Sequence, residues 1–239
     1  MHRIAIICAL EGEVRPLVRR PGWREWTAVR GAYRSYESSS AVVVCAGIGL
    51  AAAGRAAAAV IEVERPRWLV SAGFAGALTP WLKGGELVLP SLIVAAATGE
   101  KFPLGEGNGT AGEGAVLVTA EHIVGHDGKA DLVRRFQAHA VDMEASAIAE
   151  AARAHGIGFS AVKAISDEFA LALPDMSGLV DDRGRFRTAR FVLRTALRPA
   201  KWVAVGRLAS NRTRASQSLC RALLRLQEAL PAACSGPRA

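Results

Sequence analysis

Cysteines and aromatic residues are scarce in this sequence. Its 239 residues include four cysteines, and Phe, Trp and Tyr together make up 6%. The cysteines lie far apart and never in a Cys-x-x-Cys spacing, which argues against a disulfide scaffold and a cysteine-ligated metal; they are Cys8, Cys45, Cys220 and Cys234. We therefore expect a protein of a reducing compartment, the cytoplasm.

Long apolar segments are also missing. The first apolar run, residues 4–10, is short and meets Glu11 and Glu13 at once, which is not typical of a signal peptide. The longest stretch without a charge, residues 38–54, contains Gly47 and Gly49. It predicts a strand, a turn and the start of a helix rather than a membrane span.

Motifs for metal binding and for a nucleophilic serine are absent too. His122 and His126 lie four residues apart, but Gly125 and Gly128 disfavour a helix there, and no His-Glu-x-x-His pattern occurs. The sequence has no Gly-x-Ser-x-Gly nucleophile elbow. We expect neither a metal nor an organic cofactor.

Acidic residues almost vanish from the C-terminal part of the chain. Residues 183–239 hold 13 Lys and Arg but a single acid, Glu228, for a net charge of +12. Residues 1–182 carry a net charge of −4. The chain is therefore a mildly acidic body followed by a strongly basic extension.

Within this extension, residues 212–230 have the pattern of an amphipathic helix. Leu219, Leu223, Leu226 and Leu230 share one stripe, and arginines occupy the opposite one. Two interpretations stay open: a helix packed by its leucines with solvated arginines, or a basic surface that contacts an anionic membrane or a partner. Nucleic acid is the less favoured partner, because no stacking or zinc module is present.

Apolar runs of strand length alternate with helical patterns, which favours an α/β protein with crossover helices. The predicted strands cover residues 4–10, 41–46, 68–72, 87–96, 115–119 and 159–165. The predicted helices cover residues 50–63, 129–136 and 143–155. The glycine-rich residues 99–114 predict a loop. We expect one domain, residues 1–182, followed by the helical extension, residues 183–239.

Two acidic clusters stand at the ends of one β–α–β-like unit in residues 140–169. Asp142 and Glu144 follow a short apolar run, and Ser166 and Asp167 end a buried strand. Ligands of open α/β sheets bind at the carboxyl ends of strands, so these carboxylates are candidates for chemistry on a polar substrate. A carboxylate can accept two sugar hydroxyls, and a buried carboxyl can donate to a leaving group. The alternative is helix capping by Asp142 and Asp167.

Three further turns follow predicted strands. Glu11 and Glu13 place carboxylates after the first strand, although they could simply favour a helix N-terminus. The Gly47-Ile48-Gly49 turn could bring backbone amides to an oxygen-rich ligand, or only make a tight strand–helix turn. Residues 71–78 form a small-residue loop in which Phe74 offers an apolar or stacking face; close packing would also explain it.

Taken together, these sites resemble the nucleoside phosphorylase/nucleosidase superfamily. The pattern is most similar to the methylthioadenosine/S-adenosylhomocysteine nucleosidases, through Ala-Leu-Glu-Gly-Glu-Val, Ala-Gly-Ile-Gly, Ser-Ala-Gly-Phe-Ala-Gly-Ala-Leu, Val-Asp-Met-Glu-Ala-Ser-Ala-Ile-Ala and Ala-Ile-Ser-Asp. The resemblance covers residues 1–167, and its last two motifs are the specific ones. Residues after 181 look more like the hopanoid-associated branch, which is implicated in removing adenine from adenosylhopane.

The resemblance implies a three-layer α/β fold with a central mixed sheet, a homodimer and a nucleoside substrate. It implies that Glu13 activates the attacking water and that Asp167 protonates or hydrogen-bonds adenine N7. It further implies that Glu144 binds the ribose hydroxyls and that Met143 packs against the sugar. Ser166, Phe74 and Gly49 are expected to complete the substrate site.

The sequence departs from the nucleosidase pattern at several positions. Lys163 stands where an arginine is expected, Phe74 replaces a serine, and Ile123 replaces a phenylalanine that stacks on the base. Residues 99–114 are shorter than the usual insert around the 5′ substituent, which predicts a more open site able to admit a bulky or lipidic group.

The main alternative concerns the nucleophile, which is either water or phosphate. Superfamily phosphorylases usually open with Gly-Asp-Pro-x-Arg, whereas a carboxylate in Ala-Leu-Glu-Gly-Glu would repel phosphate, so we expect hydrolysis of a 5′-substituted adenosine. Phosphorolysis and a non-catalytic nucleoside-binding module are the alternatives. Because a hopanoid substrate would be membrane-resident, the hydrolase could also lie peripherally on the inner surface of the membrane.

Overall fold

The computed structural model describes residues 3–29, 33–104, 114–169 and 202–233. Eleven strands belong to these segments: β1 (Ile4–Cys8), β2 (Arg24–Glu25), β3 (Arg34–Glu37), β4 (Ala41–Cys45), β5 (Trp68–Ala77), β6 (Leu87–Val88), β7 (Leu92–Ala95), β8 (Lys101–Pro103), β9 (Val116–Thr119), β10 (Ala140–Asp142) and β11 (Gly158–Asp167). The helices described are α1 (Glu11–Val18), α2 (Leu50–Glu64), α3 (His126–Phe136), α4 (Ala145–Ala154) and α5 (Trp202–Ala233).

All the strands join one mixed sheet, as the sequence predicts. Its path runs β2-β3-β4-β1-β5-β10-β9-β7-β8, and β11 pairs with β5 and β6. The centre is parallel, because β1 pairs in parallel with β4 and β5, and β5 pairs in parallel with β11. The ten-residue β5 then pairs antiparallel with β10 at its far end, so one long strand joins the two halves of the sheet.

Alternate residues of the central strands face two helical layers. Ile4 and Ile6 of β1 pack in a core cluster with α1 and α5, whereas Ala5 and Ile7 pack in a cluster with α2 and α4. Strands covered on both faces carry continuous apolar runs rather than alternating ones. The predicted three-layer architecture is confirmed.

The basic segment forms α5 over 32 residues, which is longer than the predicted residues 212–230. Leu219 and Leu223 are fully buried against α1 and the sheet, while Arg221 and Arg225 are exposed. The rest of the extension, residues 183–201 and 234–239, lies outside the described residues, and the division into two domains stays a prediction. No helix in the described segments is long and apolar enough to cross a membrane.

The boundaries differ from the predictions in several places. The predicted loop at residues 71–78 is almost entirely strand, because β5 continues to Ala77 and pairs with β11 as far as Gly76. The predicted strand at residues 87–96 is two strands, β6 and β7, because Pro90 between them has no amide to donate to a ladder. The predicted loop at residues 99–114 contains β8, which pairs antiparallel with β7 after a turn at Gly99, where φ is +74°. Residues 105–113 of that loop lie outside the described residues.

Candidate active site

One cavity opens at the carboxyl ends of the strands and encloses about 190 Å³. Segments that follow β1, β4, β9 and β10 contribute to its wall, together with the carboxyl-terminal parts of β5 and β11. Apart from Gly49, every site residue predicted from the sequence lines it, namely Glu13, Phe74, Ile123, Met143, Glu144, Ser166 and Asp167. The sheet thus brings together residues that are up to 154 positions apart in the chain.

Glu13 is fixed by backbone amides. Its Oε2 accepts hydrogen bonds from the amides of Ala9 and Leu10, each at 3.0 Å, and its Oε1 accepts one from Phe74 at 3.3 Å. The bond from Leu10 closes the first turn of α1, so the capping and site interpretations both apply to this residue. Burial raises the pKa of Glu13 above the usual range, although these amides and the charge of Lys163 oppose the shift.

Glu144 is held by the glycine turn. Its Oε1 accepts a 2.8 Å hydrogen bond from the amide of Gly49, whose φ of +99° is a left-handed conformation that favours glycine. Gly49 therefore positions a carboxylate instead of lining the cavity itself. Burial, followed by the neighbouring Asp142 carboxylate, raises the pKa of Glu144 to about 7.

Asp142 also lines the cavity, and both of its carboxylate oxygens accept hydrogen bonds. Its Oδ2 is 2.8 Å from Lys163 Nζ and accepts the amide of Ala145 at 2.9 Å, while its Oδ1 accepts Thr119 Oγ1–H at 2.7 Å. The bond to Ala145 is the capping role that the sequence left open. Burial alone would lower the pKa of Lys163, but Asp142 and Glu144 outweigh burial and raise it. Lys163 thus places a positive charge beside the carboxylates.

Asp167 is paired with a lysine, Lys129. Its Oδ2 lies 2.8 Å from Nζ of Lys129, which is 3% exposed, and its Oδ1 accepts Ser166 Oγ–H at 3.1 Å. A Cβ added to Gly76 would lie 2.8 Å from Asp167 Oδ2, so the small residue at this position leaves room for the carboxylate.

Apolar and cationic groups complete the cavity wall. Ile123, Val124 and His122 line one part of it, and Phe74 lines another. The guanidinium of Arg212 in α5 lies 5.4 Å from the Phe74 ring centre, within cation–π range. No group of three or more His, Cys, Asp and Glu side chains in the described segments is arranged to hold a metal ion.

Two cationic residues of the cavity wall, Lys129 and Arg212, are not among the predicted site residues. Lys129 is the first residue of the helix predicted at residues 129–136, and Gly128 disfavours a helix before it, whereas α3 begins at His126. Arg212 was one of many basic residues in the extension. A lysine or arginine carries no sequence signal of burial, so only the packing of α3 and α5 distinguishes these two from surface residues.

The arrangement suits chemistry that develops positive charge. The carboxyls of Glu13, Glu144 and Asp167 share one partly enclosed space, and carboxylates in a space of low dielectric constant stabilise a cation far more than they would in water. Lys129 in its wall offers a hydrogen-bond donor.

A model of the phosphorylase superfamily matches residues 3–117 and 100–196 of this chain. No curated protein sequence matches it.

Among solved structures, similar folds are those of nucleosidases. The 5′-methylthioadenosine/S-adenosylhomocysteine nucleosidase of Neisseria meningitidis, in complex with methylthio-immucillin-A, has a TM-score of 0.69 and 19% identity over 93% of this chain and 97% of that one. A variant of the Helicobacter pylori nucleosidase with 5′-methylthioadenosine in its active site has a TM-score of 0.72 and 15% identity over 95% and 99%. Futalosine hydrolase of Helicobacter pylori has a TM-score of 0.70 and 16% identity over 93% and 95%. At such identities the likeness establishes the fold.

Proposed function

This chain belongs to the phosphorylase superfamily, and from that premise we propose that it is an N-ribosyl hydrolase that releases adenine from a 5′-substituted adenosine. The observation that carries the proposal is the convergence of Glu13, Glu144 and Asp167 on one cavity. The similar folds include hydrolases of this class, one of them with 5′-methylthioadenosine in its active site.

Glu144 supports the sugar in this mechanism. Its carboxylate, held by the Gly49 amide, accepts the ribose hydroxyls, and Met143 beside it packs against the ring. The glycosidic bond breaks through an oxocarbenium-like state, so a carboxylate near the ribose stabilises the transition state more than the substrate. The positive charge of Lys163 favours the ionised form of Glu144, whereas burial and the Asp142 carboxylate oppose it.

Glu13 activates the attacking water. Burial favours its protonated form, so the carboxylate is a better base than an exposed glutamate would be. On the leaving-group side, Asp167 hydrogen-bonds the purine. Ile123 and Val124 offer an apolar wall for the base in place of an aromatic ring.

The choice of water over phosphate rests on charge. A phosphate dianion beside Glu13 and Glu144 would meet two carboxylates, and Lys163 is already paired with Asp142. Arg212 is the observation that favours the second candidate, a phosphorylase, because it brings a guanidinium to the same cavity.

The 5′ substituent and the setting of the enzyme complete the proposal. The short segment at residues 99–114 and the looser sequence resemblance favour a bulky, lipidic substituent such as the hopane of adenosylhopane. The basic extension would then bring the cavity to anionic headgroups at the inner surface of the membrane. We further propose that the protein is a cytoplasmic homodimer, as the resemblance implies; a monomer in light scattering at micromolar concentration would contradict this.

Adenine release tests the proposed activity. Purified protein is incubated with adenosine, 5′-methylthioadenosine, S-adenosylhomocysteine and adenosylhopane, with and without inorganic phosphate. We expect free adenine and a free ribosyl hydroxyl in both conditions. Adenine that forms only with phosphate, together with a ribosyl 1-phosphate, would establish the phosphorylase, and binding without turnover of any substrate would establish a non-catalytic module.

Two matched glutamate variants test in the same assay whether Glu13 is the catalytic base. Glu13→Gln removes the base while it keeps the shape, and we expect a loss of about 10²-fold or more in kcat. Glu150→Gln changes an exposed glutamate on α4 and should leave kcat unchanged. Equal activity of the two variants would exclude Glu13 as the base.

A further inference from the structure

Lys129 and Lys163 are the two buried lysines in the described segments, and only Lys129 lies at the cavity. Lys163 pairs with Asp142, which is saturated by further hydrogen bonds, and it does not line the cavity. Lys129 lines the cavity, and its Nζ lies 2.8 Å from Oδ2 of Asp167. Lysines are almost never fully buried unless paired, and a buried ion pair adds little net stability because desolvation offsets its attraction. The location at the cavity wall therefore points to a role in function.

The pair presents a hydrogen-bond donor and an acceptor side by side. Nζ of Lys129 can only donate hydrogen bonds, and the ionised carboxylate of Asp167 can only accept them. The edge of adenine that carries N7 and the 6-amino group offers the opposite sequence, an acceptor beside a donor. A 6-oxopurine offers two acceptors on that edge, so its O6 would face the carboxylate.

We propose that Lys129 donates the proton that the leaving adenine takes at N7, and that Asp167 anchors the lysine and accepts the 6-amino group. This inference rests on the proposed function and assigns the proton donor to a residue of α3. Lys129 is thus a catalytic residue, and the Lys129–Asp167 pair also selects adenine over 6-oxopurines.

The step balances in atoms and charge. The bond between C1′ and N9 breaks and its electron pair stays on the purine, while one N–H bond of the Lys129 ammonium breaks and one N–H bond forms at N7. Water adds to C1′ and gives a proton to Glu13. Lys129 is left as a neutral amine and the Glu13 carboxyl is protonated, so proton exchange with solvent restores both groups after adenine leaves.

Leaving-group dependence tests this role. One substrate is whichever of adenosine, 5′-methylthioadenosine and S-adenosylhomocysteine the wild type cleaves fastest; the other is p-nitrophenyl β-D-riboside, whose phenolate departs without a proton. Lys129→Met removes the donor, and Lys129→Arg keeps the cation but cannot give up its proton. We expect both variants to lose about 10²-fold or more in kcat on the nucleoside and less than about tenfold on the nitrophenyl riboside.

Several outcomes would overturn the inference. Restored nucleoside cleavage by Lys129→Arg would show that only the charge matters, and equal losses on both substrates would show a structural role. Equal wild-type rates on adenosine and inosine would contradict the selection of adenine. Lys101→Met, at an exposed lysine, is the matched control, and activity on the nitrophenyl riboside reports that each variant is folded. If the wild type releases no base from any nucleoside, the proposed function itself fails.

Discussion

Glu144 is the residue whose titration matters most near neutral pH, since burial and Asp142 raise its pKa to about 7. Only the ionised carboxylate accepts two ribose hydroxyls. We expect kcat/KM of the wild type to rise as pH increases through about 7, because kcat/KM reports on groups of the free enzyme. Glu144→Gln should be much slower and should lack this rise. A wild-type profile that is flat between pH 5 and 9 would contradict the assignment.

The same raised pKa affects folding stability. The usual glutamate pKa is 4.5, so between about 4.5 and 7 the folded protein keeps a proton at Glu144 that the unfolded chain has lost. Stability contributed by this group is present at low pH and disappears as pH rises through about 7. Urea unfolding at pH 5 and pH 8 should show a smaller fall in unfolding free energy for Glu144→Gln than for the wild type. An identical fall would show that Glu144 does not hold the proton.

Gly76 controls the position of Asp167. A Cβ at this residue would lie 2.8 Å from Asp167 Oδ2, and Lys129 and Ser166 hold that carboxylate from the other sides. We expect Gly76→Ala to lower kcat by about 10²-fold, because small displacements of catalytic groups are costly. Gly54→Ala on α2 is the control, since its Cβ would meet only Ala147 at 3.9 Å. Retained activity of Gly76→Ala in base release would indicate that Asp167 tolerates movement.

At the scale of elements, α5 supports α1 and thereby the cavity. Ser216 of α5 donates its hydroxyl to the backbone oxygen of Glu13 at 2.9 Å, and Leu219 is fully buried among residues of α1 and the sheet. The leucine-packing interpretation therefore holds for this part of the extension. Arg221 and Arg225 are exposed on the opposite face of α5, so contact of this face with an anionic membrane or a partner stays a prediction.

Truncation of a buried leucine measures how much the packing of α5 contributes to the free energy of unfolding. We expect Leu219→Ala to lower the unfolding free energy by about 2–5 kcal/mol, since it removes buried methyl groups and leaves a cavity. Arg221→Ala, two residues away and exposed, should change it by less than about 0.5 kcal/mol. Urea denaturation provides the measurement. A loss below 1 kcal/mol for Leu219→Ala would mean that the core does not depend on α5.

At the scale of the whole molecule, the charge asymmetry leads to a membrane-binding prediction. Vesicles with anionic phospholipid should carry the protein in flotation, neutral vesicles should not, and salt should weaken the binding. Because α5 is part of the core, substitution is a cleaner test than truncation. Replacing Arg221 and Arg225 by Gln should reduce binding roughly fivefold per arginine, at about 1 kcal/mol each.

The control for flotation changes the same number of charges on another helix. Arg134 and Arg135 are exposed on α3, and replacing both by Gln should leave the binding almost unchanged. Equal recovery of the wild type with neutral and anionic vesicles would contradict membrane binding and would leave helix packing as the role of the basic extension.

Much of the sheet and the three carboxylates of the cavity, Glu13, Glu144 and Asp167, could be predicted, because both depend on local sequence patterns. Continuous apolar runs predicted β1, β4, β5 and β11, which are buried on both faces. Short strands were missed: β2 has two exposed residues, and β8 has three residues that pair with β7. Such strands owe their conformation to a ladder, so their own sequence says little about it.

By itself, the sequence determined the alternation of strands and helices, the placing of Glu13, Glu144 and Asp167 after strands, and the basic character of residues 183–239. Hydrophobic periodicity and strand-end position are local properties, readable along the chain. Only the tertiary structure decided which cations meet those carboxylates: Lys129 at Asp167, Lys163 at Asp142 and Arg212 above Phe74. A long flexible side chain has the same local pattern in solvent and in a cavity, and its partner is chosen by the packing of elements far apart in the sequence.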